Sequence, residues 1–295
     1  MLHKCSAVFI LAVILCAFLM TSAGCLNALA WSNGGYTCDV AQPGYGTHDW
    51  IAEHALDWLP AEEKRFLVEN LEWYLYGTEL PDNKNTPNGV GDTAKHHIYF
   101  AYDGILVDDS AAVRAKEEYT AAQKAFNEGN LSATAIHLGM VVHYVTDVAV
   151  FGHVMGAATP WGSEEHHSDY ESYVLEKTKS YGGEFANFLV HDNTLTLITA
   201  YEATVSLARD TTFDAGQRGL NCTWMDQHYN WNDSDFRSRV GESLSLATNA
   251  AADVLYTFYS ETAIPEFPLS GNILAFLFAI VLVCAILLRA KRVFR

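Results

Sequence analysis

Positive charge is scarce in this chain. In 295 residues, 18 Lys and Arg stand against 35 Asp and Glu, a formal net charge of −17. That balance excludes a basic nucleic-acid-binding protein, and a hydrophobic share of 50% excludes a disordered chain. Acidic residues are missing from the two ends. Residues 1–30 carry only Lys4, and residues 269–295 carry only Arg289, Lys291, Arg292 and Arg295, so residues 31–268 hold all 35 acids and 13 of the 18 bases, a net of −22. A surface of that sign repels a phosphate backbone unless a cation is bound to it. Cysteine is also sparse there: Cys5, Cys16, Cys25 and Cys284 lie in the two ends, leaving Cys38 and Cys222 as the one pair an oxidising compartment could join. Alternating valine-rich runs are few, which speaks against a β fold.

The beginning reads as a secretory signal over residues 1–30, with Lys4, the apolar run Val8 to Met20 and the small-residue pattern Ala28-Leu29-Ala30. Cleavage there leaves Trp31 as the first residue. The competing reading is a lipoprotein signal ending at Cys25 after Ser22-Ala23-Gly24. At the other end, Leu269 to Leu288 is free of charge and long enough to cross about 30 Å of hydrocarbon as a helix. The basic tail 289–295 follows it and only Glu266 shortly precedes it, which places the tail inside and the domain outside. The linker 261–268 contains Pro265-Glu266-Phe267-Pro268, which resembles an archaeal C-terminal sorting signal and implies a sorting transpeptidase as a partner. An ordinary single-pass membrane anchor is the alternative, and both expect an exported protein held on the outer face of the cell membrane. Sequons at Asn130, Asn221 and Asn232 fit that location.

Between the ends, apolar residues recur at helical spacing. Thr47 is the expected N-cap of a helix to about Leu59, stopped by Pro60. A second helix is expected over 61–76, with Phe66, Leu67, Leu71, Tyr74 and Leu75 on one side. Gly, Pro and Asn make 77–91 a loop. Further helices are expected at 110–128, 131–150, 164–180, 194–210 and 236–259. Without an internal repeat or an earlier linker, residues 31–260 read as a single all-α multi-helix domain.

Eleven of the 12 histidines fall in that domain, and their spacing carries the chemistry. His143 and Asp147 stand four residues apart on one helix face, and His167 and Glu171 repeat the interval on the next helix. His153 lies between the pairs. One such pair alone is an ordinary surface contact. Two pairs on adjacent helices, with a third histidine and the apolar flank Met140-Val141-Val142, are how a bundle core holds metal, and imidazole with carboxylate suits zinc. His54, His137, His191 and His228 lack a partner at useful spacing and read as structural or exposed.

With these motifs the chain resembles the zinc-dependent phospholipases C of bacteria, which share an all-helical fold and a three-zinc site with fungal single-strand nucleases. Trp31, Gly46-Thr47-His48, Pro81-Asp82, His97-Ile98-Tyr99, His143-x3-Asp147-x5-His153 and His167-x3-Glu171 carry the resemblance. It implies up to three zinc ions. The first would be held by Trp31, through its free amino group and carbonyl, with His48 and a bridging Asp147. The second would take Asp82, His97, His143 and Asp147, and the third His153, His167 and Glu171. It also implies a phospholipid or other phosphodiester substrate and metal-activated water, with Asp82 to orient or deprotonate the water. Glu171, where the nucleases have Asp, points to the phospholipase branch.

Some choices stay open. His96 adjoins His97 and only Ile98-Tyr99 favours the latter; Asp92 rivals Asp82; His166 points off the face of Glu171, which favours His167. Two departures stand out: a longer stretch from Trp31 to His48 containing Cys38, and Ser32-Asn33-Gly34-Gly35 where choline-preferring enzymes carry a carboxylate. A nuclease of the same superfamily is the second reading, disfavoured by the −22 charge, and a surface module with structural zinc is the third.

Overall fold

The computed structural model describes Trp31, residues 44–86 and residues 88–262. The expected signal, Cys38, the Pro-Glu-Phe motif, the apolar span and the basic tail lie outside these residues. Nine α-helices run through the described part: α1 (Thr47–Trp58), α2 (Ala61–Glu69), α3 (Leu71–Glu79), α4 (Ser110–Asn127), α5 (Leu131–Asp147), α6 (His167–Lys177), α7 (Ala200–Phe213), α8 (Cys222–Gln227) and α9 (Ser234–Thr262). A small antiparallel hairpin, β1 (Tyr99–Phe100) and β2 (Leu106–Asp108), is the only sheet among them. No helix among the described residues is long and apolar enough to cross a membrane.

Helix α5 is the axis of the fold. Asn130 caps it by accepting from the Ala133 N–H at 3.2 Å, and every residue from Leu138 to Asp147 is buried. Such a helix needs neighbours all round, and α3, α4, α7 and α9 supply them. Its approach to α3 is backbone to backbone. A Cβ at Gly77 would stand 2.2 Å from the Ile136 carbonyl oxygen, and one at Gly139 would stand 2.1 Å from that of Tyr74. Two glycines on facing helices therefore set how deep α3 sits, and α3 ends beside the buried half of α5.

The expected helices and loops differ from the observed ones in definite places. Gly46 rather than Thr47 precedes the first turn of α1; Asp49 accepts from the Gly46 N–H at 2.9 Å, and Thr47 uses its hydroxyl on that of Thr178 at 2.9 Å. The helix expected over 61–76 is two. Asn70 leaves helical geometry with φ −123° and ψ 32°, and its amide donates to the Phe66 carbonyl at 2.8 Å, satisfying an acceptor at the end of α2. Glycine at 77 does not start a loop, because the contact with Ile136 selects it within α3, which continues to Glu79. Helix α5 stops at Asp147 rather than 150, with the Val150 N–H turning back to the Asp147 carbonyl at 2.9 Å. Cys222 is buried and free, its thiol 3.6 Å from the Thr212 carbonyl oxygen.

Candidate metal centre

Three groups of histidine and carboxylate side chains meet in the core: His48 with His143 and Asp147, Asp82 with His96 and His143, and His153 with His167 and Glu171. All of these residues are buried. His143 belongs to two groups, and Asp147 faces both. Its Oδ1 lies 2.9 Å from His48 Nε2, while its Oδ2 lies 2.9 Å from His96 Nδ1 and 3.1 Å from His143 Nε2. Asp82 Oδ1 stands 3.4 Å from His96 Nδ1 and 3.8 Å from His143 Nε2. In the third group Glu171 Oε1 lies 2.8 Å from His167 Nε2 and 3.4 Å from His153 Nε2.

Each element delivers its side chain for a local reason. The last turn of α5 places His143 and Asp147 one above the other, and the turn after it returns His153 towards them through Phe151–His153. The Ile98 N–H donates to the His153 carbonyl at 3.1 Å, tying the Asp92–Ile98 segment to that turn. Gly152 makes room for the third group, since a Cβ there would lie 2.4 Å from the His167 ring.

Hydrogen bonds behind the rings fix which nitrogen faces inward. His143 Nδ1 donates to the Thr78 carbonyl at 2.7 Å. Thr146 gives its hydroxyl proton to the Val142 carbonyl at 2.8 Å, so it accepts from His48 Nδ1 at 3.1 Å. His96 Nε2 donates to Asp92 Oδ1 at 3.3 Å. His167 Nδ1 lies 3.4 Å from Glu164 Oε1.

The electrostatics are those of acids and imidazoles crowded away from water. Burial pushes the Asp82 carboxyl up to about 6, against the pull of His143 and His96. Burial would raise Asp147 too, but His143, His153 and His48 hold it well below the usual carboxylate range. Burial lowers His143. Burial would also lower His96, yet Asp147 and Asp92 push it up to about 10, and Glu171 and Glu164 likewise raise His167 to about 10.

The donor set fits a metal. His48 Nε2, Asp82 Oδ1, both Asp147 oxygens, His153 Nε2 and Glu171 Oε2 are buried without a well-formed hydrogen bond. Leaving so many polar atoms unsatisfied within one core is costly. A cation bound by nitrogen and oxygen removes the cost, and zinc accepts this mixture. The cleft is open along His96, Tyr99, His153, Glu164 and His167, with a volume of about 180 Å³.

One expected residue falls outside. His97 is 20% exposed, stacks on Tyr99 and points Nε2 at Asp108 Oδ2, 3.3 Å away, whereas its neighbour His96 is 1% exposed and joins Asp82 and His143. Ile98 anchors the segment in the core, leaving His97 on the hairpin side. Trp31 is fully buried, its ring centroid 6.2 Å from that of His48. Asp92 lies behind His96 rather than in the Asp82 position, and His166 pairs with Asp226 at 3.2 Å. His54 donates to the Tyr181 carbonyl at 2.8 Å, and His137 lies 2.8 Å from Glu118. Sequence reasoning missed the supporting roles of Asp92 and Glu164. The signal was there: they stand four and three residues before the histidines they support.

A family model described as zinc dependent phospholipase C matches residues 47–245. Among solved structures, the alpha toxin from Clostridium absonum is 18% identical with a TM-score of 0.53, the match covering 79% of this chain and 66% of the toxin. The alpha-toxin of an avian Clostridium perfringens strain is 17% identical with a TM-score of 0.48, covering 78% of this chain and 66% of the other. The chain thus spans just under two thirds of the toxin chains, and at 18% identity the first likeness shows a shared fold. No curated protein matches the chain.

Proposed function

The chain belongs to the zinc-dependent phospholipase C family, a family of phosphodiester hydrolases, and from that premise we propose that it hydrolyses the glycerol-side P–O bond of a phospholipid at a three-zinc centre. The observation that carries the reading is Asp147, one carboxylate whose two oxygens serve two adjoining groups of buried nitrogen donors.

In this reading His48 and Asp147, with the amino group and carbonyl of a cleaved Trp31, hold the first ion. Asp82, His96, His143 and Asp147 hold the second, and His153, His167 and Glu171 the third. Zinc so held lowers the pKa of a bound water to about 7 and offsets charge on a phosphodiester. The protein's own share is positional. Thr78, Thr146 and Asp92 lock ring orientations, so the acceptors are aimed before substrate arrives. Asp82, at the edge of the second group, would orient the water and take up its proton. A cleft of about 180 Å³ falls below the range of roughly 300–1,000 Å³ typical of sites that engulf a drug-sized ligand, so it takes the phosphate and headgroup while the acyl chains stay in the lipid phase.

The charge-free run 269–288 with its basic tail, and the apolar run near the start, support an exported domain held on the outer face of the membrane by residues 269–288. N-terminal sequencing of the mature protein tests both that and the Trp31 ligand, since a chain beginning at Cys25 removes the free amine. The enzymatic reading is tested by zinc content and by headgroup release from a panel of phospholipids, with and without chelator. Fewer than two zinc per chain, or no phosphorylated headgroup from any lipid, sinks it. Single-stranded DNA in the same assay identifies a nuclease instead.

A further inference from the structure

We propose that Asp92, clamped by Arg114 and Tyr144, is the positioning residue that turns His96 towards the metal centre and thereby sets how firmly the second ion is held. The inference rests on the metal-centre part of the reading above and not on the identity of the substrate.

Three donors from three elements converge on this carboxylate. Asp92 Oδ1 accepts from the Tyr144 hydroxyl of α5 at 2.7 Å and from His96 Nε2 at 3.3 Å. Its Oδ2 accepts from Arg114 Nε of α4 at 2.8 Å. Arg114 is itself immobilised: it donates to Glu117 at 2.6 Å, to Glu118 at 2.5 Å and to the Tyr144 hydroxyl at 3.2 Å, and its guanidinium lies 5.0 Å from the centroid of the Tyr144 ring. A carboxylate held from both sides in this way has no second orientation to offer.

The consequence falls on His96. With its Nε2–H spent on Asp92, Nδ1 is the nitrogen turned inward, 2.9 Å from Asp147 Oδ2, 3.3 Å from His143 Nε2 and 3.4 Å from Asp82 Oδ1. His96 presents Nδ1, whereas His143 and His48 present Nε2 to the same carboxylate. Those two rings are backed by a neutral carbonyl and a neutral hydroxyl, from Thr78 and Thr146. His96 alone of the three has an anion behind it, which raises the basicity of its inward nitrogen and restrains a ring that sits on a loop rather than on a helix. Tyr144 adds a coupling, since it follows His143 directly on α5.

The test uses the full-length protein in detergent, loaded with zinc, in parent, Asp92→Ala and Tyr144→Phe forms. Zinc per chain and the rate of zinc transfer to a chromogenic chelator are measured, together with unfolding midpoints with and without metal. The expected result for Asp92→Ala is one zinc bound about 10–100-fold more weakly, the range found for outer partners of metal ligands, with the other ions retained. The drop in its midpoint should be larger with zinc than without. Tyr144→Phe, which removes one hydroxyl and keeps the ring, should weaken the same ion by a smaller factor and guards against an alanine variant that fails to fold. Unchanged zinc retention in both variants, or a midpoint loss equal with and without metal, overturns the proposal by making Asp92 a structural cross-link. A parent protein that binds no zinc overturns the metal reading itself, and one that holds zinc but cleaves no lipid overturns only the phospholipase assignment.

Discussion

Asp147 shows how much one side chain can decide. It is the last residue of α5, fully buried, with an imidazole against each oxygen. Asp147→Asn keeps the shape and exchanges one acceptor oxygen for a donor nitrogen, so it opposes one of the two groups it now joins. The expected outcome is loss of at least one zinc per chain by elemental analysis and a fall in hydrolysis of more than about 100-fold, beyond the range for outer-shell partners; normal zinc content in this variant argues against a bridging role. Protonation gives a second prediction. His96 and His167 are raised to about 10 by their carboxylate neighbours, so in metal-free protein both carry a proton at neutral pH and must shed it to bind zinc. Zinc added to stripped protein in weak buffer at pH 7.5 should therefore acidify the solution, and affinity should rise with pH up to that range; uptake without proton release refutes it. The residues of this centre were legible in sequence where candidate ligands stand four apart on a helix, as His143 with Asp147 and His167 with Glu171. The choice between His96 and His97 was not legible, because adjacent residues share all their sequence context. In the structure Ile98 is buried, His97 lies beside Asp108, and His96 lies with Asp82 and His143.

At the scale of elements, the centre depends on close approaches that only glycine permits. The crossing of α3 and α5 at Gly77 and Gly139 brings the Thr78 carbonyl to His143. Gly139→Ala would put a Cβ 2.1 Å from a backbone oxygen that cannot rotate away, so the helices must separate. A loss of about 1–3 kcal/mol is expected from such overpacking, together with weaker zinc retention; denaturant unfolding and elemental analysis measure the two. Gly152→Ala makes the contrasting case. Its Cβ would meet the His167 ring at 2.4 Å, and a displaced ring costs the third group its ligand without prising helices apart. Zinc content should fall by one with little change in the stability of the stripped protein, and a fully loaded variant counts against the third group as an ion site. Helical periodicity made the long helices visible in sequence, including α4, α5 and α9. It could not show that Gly77 is selected by Ile136, a partner 59 positions away, because that is decided by tertiary contact, nor that Asn70 divides a continuous apolar face into α2 and α3, because an asparagine inside such a face leaves the period unchanged while its amide turns back to the Phe66 carbonyl.

On the scale of the whole molecule, the question is how a stretch with net charge −22 tolerates buried carboxylates. The buried acids of the metal groups, Asp82, Asp147 and Glu171, have imidazoles as neighbours, and several of their oxygens make no well-formed hydrogen bond. Metal therefore belongs to the folding free energy of this core as well as to its chemistry. Each ion that binds the folded chain and not the unfolded one adds RT ln(1 + [L]/Kd), about 2.7 kcal/mol at a hundredfold excess over Kd. For a domain of this size 1 kcal/mol moves the unfolding midpoint by roughly 2–4 °C, so each ion is worth on the order of 5–10 °C under those conditions. Stripping the protein with a chelator should lower the midpoint by at least that amount. Restoring zinc should recover it in proportion to the logarithm of free zinc, whereas magnesium, which prefers oxygen ligands, should not. Raising salt leaves a buried centre largely unscreened while it relaxes repulsion among the surface acids, so the zinc-dependent part of the midpoint should hold between low and moderate ionic strength. A midpoint indifferent to chelator would place the metal groups at the surface of the energetics, and the buried unsatisfied oxygens of Asp147 would then need another cation to account for them.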